Sequence, residues 1–285
     1  MKKRLLAVLT VAAMAVALVG CQQAGGAGSS SASTSSAAAS SSATSSAAVS
    51  SAASSSAAAS SAETSSQTAV QKSNDDLYAE AVKDAVFIEP DEVLPLVNIS
   101  KDDENVIWDD QGRVLVAFMH KYPDSYPAGQ DIELKWGNVW CVSEKEMSKW
   151  VKSNGQGVDD WTTRLHQVLG MPTSKGYTHV TALWVDAKLL YRPANVSDPC
   201  AKMEAKYTPT GDEEFDKKFK EWFDSNIIWS YFDSAFPWTR LGYTYDWADN
   251  GKEYGLSEFL IFEGANAKVE FTYDLKSFVD HANAN

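Results

Sequence analysis

Residues 256–273 read LSEFLIFEGANAKVEFTY. Leu256–Phe262 is a β-rich run, Glu263-Gly264-Ala265-Asn266 has the composition of a turn, and Ala267–Tyr273 alternates. In the second run Val269, Phe271 and Tyr273 face one way while Glu270 and Thr272 face the other, the period-2 pattern of a half-buried strand. The expectation is a β-hairpin. Working outward, Val106–Trp108 and Arg113–His120 flank Asp109-Asp110-Gln111-Gly112 as a second hairpin. Asp131–Val142, broken at Gly137, and Thr178–Asp186 add further strands.

Helical periodicity separates these runs. Ser143 and Glu146 match a capping box, with Val142 and Met147 as the accompanying staple and Met147, Trp150 and Val151 on one face. A second helix runs from Asp159 or Asp160 to Leu169, stopped by Gly170 and Pro172. A third begins near Thr210–Asp212, with Thr210 and Glu213 as a capping-box match, and carries Phe215, Phe219, Trp222, Phe223 and Ile227. A fourth, early in the domain, places Tyr78, Val82 and Ala85 on one side. Hairpins with clustered helices predict an α+β fold with a mainly antiparallel sheet and about four helices.

The first 72 residues have a different character. Met1-Lys2-Lys3-Arg4 is a basic start and Leu5–Gly20 an apolar run too short to span a bilayer as a helix. Leu18-Val19-Gly20-Cys21 resembles the lipobox of bacterial lipoproteins, which implies a signal peptide over 1–20, lipidation of Cys21 and cleavage before it. Two or more acyl chains anchor stably where one does not. Between Ser29 and Ala62 every residue is Ser or Ala except Thr34, Thr44 and Val49. Such a segment has nothing to bury and is expected to be a disordered tether over 21–72, with a random-coil span of roughly 40 Å. The expected layout is one domain, 73–285, held outside the cytoplasm on a membrane by lipidated Cys21.

That domain contains all ten tryptophans, all but four of the 25 Lys and Arg, and all but one of the 38 Asp and Glu. It is thus more acidic than the whole chain at −13, which argues against nucleic acid as a partner. No glycine-rich phosphate loop and no Gly-x-Ser-x-Gly elbow occurs. The four histidines lack metal-ligand spacing, and Asp246–Gly251 fails as a calcium loop because its third and twelfth positions are Ala248 and Ser257. No cofactor and no metal is therefore expected. Asn250-Gly251 reads instead as a tight turn.

Two features could carry function. Cys141 and Cys200 remain after Cys21 is lipidated and could form a disulfide if close in space. Alternatively Cys141, just ahead of a helix start, could be a nucleophile. The denser feature is Trp222–Trp247, where ten aromatics are interspersed with acids. Aromatic faces stack on sugars or hold cations, and a few polar groups fix a small ligand. Trp229, Trp238, Arg240, Tyr243, Tyr245, Asp246 and Trp247 are the expected ligand contacts, with the alternative that these rings are the core.

GYTHVTALWVD (176–186), Leu190-Tyr191-Arg192-Pro193, PWTRLGYTYDW (237–247) and YGLSEFLI (254–261) resemble secreted or lipid-anchored bacterial proteins of unassigned function. KYPDSYPAG (121–129) and LKWGNVW (134–140) belong to the same resemblance. It implies an extracytoplasmic domain and no particular chemistry. The function expected is a surface ligand-binding or interaction domain, with a glycan or cell-wall fragment as the first class and a surface protein as another partner. A wall or glycan hydrolase using paired carboxylates and a structural lipoprotein with no small-molecule site are the alternatives.

Overall fold

The computed structural model describes residues 72–284. The lipobox, Cys21 and the Ser/Ala tether lie outside the described residues. No helix among the described residues is long and apolar enough to cross a membrane.

The fold is α+β, with five helices and a mostly antiparallel eight-stranded sheet. Helix α1 is Asn74–Asp84; β1 is Arg113–His120, β2 Asp131–Glu133 and β3 Val139–Ser143. Helices α2 (Glu144–Asn154) and α3 (Trp161–Val168) follow, then β4 (His179–Asp186), β5 (Leu190–Tyr191) and α4 (Glu213–Ile228). The chain closes with β6 (Tyr243–Tyr245), β7 (Tyr254–Ile261), β8 (Asn266–Asp274) and α5 (Leu275–Ala284). The order across the sheet is β2-β8-β4-β1-β3-β7-β5, with β6 also on β7.

The hairpin expected at 256–273 is not made. β7 pairs with β3, β5 and β6, whereas β8 pairs with β4 and β2. Four strand spacings separate β7 from β8 along the sheet, about 19 Å if it were flat. The chain from Ile261 to Asn266 reaches about 18 Å when fully extended, and it is not extended: Gly264 N–H donates to Leu134 and Ala265 N–H to Phe262. The sheet must therefore curl until the ends of β7 and β8 approach each other. Strand composition and alternation specify that these residues are strands; they do not specify which neighbour each one takes.

The sheet carries a core on each face. Val114, Val116, Phe118, Cys141, Leu183, Phe259 and Ile261 pack together on one side with Val97, Ile99 and Val106. Leu115, Ala117, Met119, Val142 and Leu256 pack on the other, beneath apolar residues of α2, α3 and α5. Phe215, Phe219 and Phe223 of α4 form a separate aromatic cluster with Trp238, against which Trp140 and Trp222 pack.

Two capping expectations are corrected. Ser143 is the N-cap of α2 by position, but its hydroxyl donates to the Asn105 carbonyl and caps nothing. Glu146 turns to Ser257 rather than back to Ser143. At α4 the cap is Asp212, which accepts from Glu214 and Phe215 N–H, while the Thr210 hydroxyl donates to Asp216. Tertiary partners outcompeted the local box in the first case, and a better-placed carboxylate did so in the second.

Candidate functional site

A cleft of about 450 Å³ opens where β1 and β3 part. β1 is paired along its whole length with β4, but with β3 only at Val116–Ser143 and Ala117–Val142. Beyond that point Phe118–His120 on one strand and Val139–Cys141 on the other line the cleft. Its remaining walls come from Tyr122–Tyr126, the β2–β3 connection, Leu169–Met171, the segment 229–238 and β6.

Each wall is held by identifiable interactions. His120 is buried, and its Nδ1 accepts from the Tyr122 N–H at 3.1 Å. Nε2 must then carry the proton, which it donates to Thr181 Oγ1 at 2.6 Å. Thr181 passes its own proton to Thr272 Oγ1 at 2.7 Å, and Thr272 donates to the Tyr126 carbonyl at 2.6 Å. The whole chain runs one way, and both ring nitrogens are used. Burial, reinforced by the neighbouring His179, lowers the His120 pKa to about 4, so it is neutral. His166 is likewise satisfied, with Nδ1 2.7 Å from the Thr162 carbonyl and Nε2 accepting from Tyr177 N–H. Neither histidine is free for chemistry.

The opposite wall is irregular backbone. α4 runs into a π-turn over Trp229–Asp233, and Ala235 (φ 52°) and Arg240 (φ 59°) are non-glycine residues in the left-handed region. Such conformations are costly and persist where surrounding contacts enforce them. Here Phe236 N–H donates to Ser230 at 2.7 Å, and Trp229 stacks on Phe236 with centroids 5.0 Å apart.

The expected contacts divide into two groups. Trp229, Trp238, Tyr243 and Tyr245 line the cleft. Trp229 is 45% exposed, whereas the other three are nearly covered. Trp238 donates its Nε1–H to the Pro193 carbonyl at 2.6 Å, and the Tyr245 hydroxyl lies 2.9 Å from an Asp84 carboxylate oxygen. Arg240, Asp246 and Trp247 lie outside it. Arg240 donates to the Val86 carbonyl and sits over the Tyr231 ring. Asp246 is buried in a two-point ion pair with Arg164, at 2.8 and 2.5 Å. Trp247 donates to the Met171 carbonyl and meets the edge of Tyr78. These three secure α1 and α3 to the β6–β7 region.

The cysteine pair is not formed. Cys141 is a free thiol buried on β3. Burial, with Glu258 nearby, pushes its pKa far up, so the thiol stays protonated and is no nucleophile. It sits inside a strand rather than on the first turn of α2, so the helix field does not act on it. The Cys200 sulfur lies 3.4 Å from the Ile99 carbonyl oxygen.

The residue that composition did not single out is Glu258. It lines the cleft from β7, opposite Val142 of β3, and its backbone N–H donates to Gly242 at 2.9 Å. Its carboxylate has no hydrogen bond or ion pair among the described residues, and burial raises its pKa to about 8. A sequence signal existed: on alternate positions of β7, Leu256, Glu258 and Leu260 face the same side, which puts an acid in line with two core leucines. The missed rim residue is Trp136, 86% exposed in the β2–β3 connection, with Tyr122 (61%) also on the rim.

A separate carboxylate group lies elsewhere. Asp84, Glu92 and Glu253 bring one oxygen each within 4.8 Å of one another. Burial and mutual repulsion raise Glu92 and Glu253. Three oxygen ligands would suit a hard divalent cation, but two of the three residues are exposed and no buried, unpartnered group points at them, so we assign the cluster no role.

The chain matches no protein-family model, no curated protein and no solved structure.

Proposed function

We propose that this domain is the ligand-binding part of an extracytoplasmic lipoprotein, taking a small ligand with a flat apolar face into the β1–β3 cleft. A glycan or cell-wall fragment is the first class to consider. The observation that carries the reading is the cleft's composition. A volume of about 450 Å³ is of ligand size, and its walls combine stacked or buried rings with a single unengaged carboxylate. Exposed Trp136 and Trp229 at its mouth give a sugar or aromatic ring a surface to stack on.

The hydrolase alternative is less well supported. Glu133, the cleft's other acid, is half-exposed and paired with Lys135 at 3.1 Å, which leaves no second free carboxylate beside Glu258. A purely structural role leaves the open, tryptophan-rimmed cleft without a purpose.

The test is binding of the lipid-free domain to a glycan array and to fractionated wall digests, read by tryptophan fluorescence. Binding that falls about tenfold or more in Trp229→Ala supports the reading. No binding in either format, or binding indifferent to Trp136→Ala and Trp229→Ala together, overturns it.

A further inference from the structure

Glu258 is a carboxyl group placed where nothing among the described residues answers it. The titratable and charged groups sharing the cleft are accounted for. Lys135 is paired with Glu133, and Lys175 holds its ammonium 4.9 Å from the Phe236 ring centroid. His120 is neutral with both nitrogens committed, and Cys141 is a protonated thiol. The cleft tyrosines Tyr126, Tyr177, Tyr243 and Tyr245 all have raised pKa values through burial and remain neutral. No protein cation forms an ion pair with the Glu258 carboxylate among the described residues.

The rings near that carboxylate follow from strand register. Glu258 lies opposite Val142, so Trp140, two residues along β3, shares its face. β6 flanks β7 on the other side, but Tyr243 pairs with Ser257 and so turns its ring to the opposite face, which leaves Trp140 as the ring that register places on the Glu258 side. Trp238 meets Trp140 edge-on at 6.1 Å. Ring faces attract cations, and a desolvated carboxylate does so more strongly. An unpaired acid on the same strand face as Trp140, which Trp238 backs edge-on, has the two components that bind an organic cation, and it lacks only the cation.

We propose that the cleft selects an organic cation, a ligand carrying an ammonium or quaternary ammonium group on an apolar or ring-shaped frame, with Glu258 as its counter-charge. This rests on the ligand-binding reading above and narrows the ligand class of the same site. An amine-bearing wall fragment would satisfy both. Because Glu258 is protonated near neutral pH, seating the cation releases its proton to solvent. Affinity therefore rises with pH up to about 8 and levels off above it.

Calorimetric titrations with choline, benzyltrimethylammonium and 3,3-dimethyl-1-butanol, the uncharged carbon isostere of choline, test this. They are run in two buffers of different ionisation enthalpy. The expected result is binding of the cations at least about tenfold tighter than the isostere. One proton is released per ligand at pH 7, and affinity changes by up to roughly tenfold per pH unit below the Glu258 pKa. Glu258→Gln should lose the proton release and most of the affinity. If that variant does not fold, the proton release and isostere comparison in the unaltered protein decide the matter alone. Equal binding of the isostere, or unchanged binding by Glu258→Gln, overturns the cation assignment and leaves the cleft reading standing. So does failure of both cations while wall fragments bind in a Trp229-dependent way. Failure of every ligand in both experiments removes both.

Discussion

Ser257 and Glu258 are neighbours on β7, and the strand turns them to opposite faces of the sheet. On the Ser257 face, Glu146 is likewise half-buried, but its carboxylate accepts from Ser257 N–H and Oγ–H at 3.0 Å each, and the buried Arg192 adds a favourable field. Ser257 Oγ in turn accepts from Val97 N–H at 2.9 Å. On the Glu258 face the carboxylate has a cleft and no donor. Burial raises both acids, Glu146 to about 7 and Glu258 to about 8. The difference lies in what surrounds them: one acid is built into the fold, and the other faces a cleft with no partner among the described residues.

Three substitutions probe that contrast. Ser257→Ala should be the most damaging. It removes one donor from Glu146 and the acceptor of Val97 N–H, leaving buried polar groups unsatisfied. A loss of about 2–4 kcal/mol is expected in urea unfolding; a loss below about 1 kcal/mol would mean water replaces the hydroxyl and the two sites are more alike than described.

Glu258→Gln should act in the other direction. In the unfolded chain the carboxyl titrates at its ordinary 4.5, while in the folded protein it holds its proton to about pH 8. Between those values the unfolded state binds fewer protons, so stability falls as pH rises, and the loss is complete above about pH 8. Gln abolishes that dependence. The variant should equal the parent below pH 4.5 and exceed it by about 1–2 kcal/mol at pH 8, a figure reduced for water entering the cleft. Parallel stability curves across that range would show that Glu258 is solvated after all.

Trp136→Ala should change stability by no more than about 0.5 kcal/mol, since the ring is 86% exposed. A thermal melt that drops by several degrees would assign Trp136 to the fold rather than to the cleft mouth.

How much of this was legible in the sequence depended on whether the decisive interaction was local. The Asp109–Gly112 turn, the Asp160 cap and the stripe Phe215, Phe219, Phe223 were readable because each is fixed within a few residues. The Ser143–Glu146 box matched its pattern yet gave both side chains to distant partners. α5 was missed although Leu275, Phe278, Val279 and Ala282 follow a helical period and Asp274 accepts from Ser277 N–H and Oγ–H at its start. The site was half-legible. Aromatic density pointed to Trp229, Trp238, Tyr243 and Tyr245, but the same density included Trp247, and the charges beside it, Asp246 and Arg240, serve the fold. Glu258 was passed over because a lone acid in a strand usually faces water, and its side becomes an interior one only through tertiary packing of α2, α3 and α5 over Val142 and Leu256.

The fork between β1 and β3 also bears on what holds the sheet together. Across the sheet, β2-β8-β4-β1 and β3-β7-β5 are two half-sheets stitched by two residue pairs, Val116–Ser143 and Ala117–Val142, with a short strap from Ile261 to Asn266 at the far end. Each half is internally well hydrogen-bonded, with eight residue pairs joining β1 to β4. Both cores cross that stitch: Val116 and Phe118 pack with Cys141 and Phe259 on one face, and Leu115 and Ala117 with Val142 and Leu256 on the other. Where the ladder lapses, side-chain packing on the two faces takes over its work, and the cleft opens in the gap the backbone leaves.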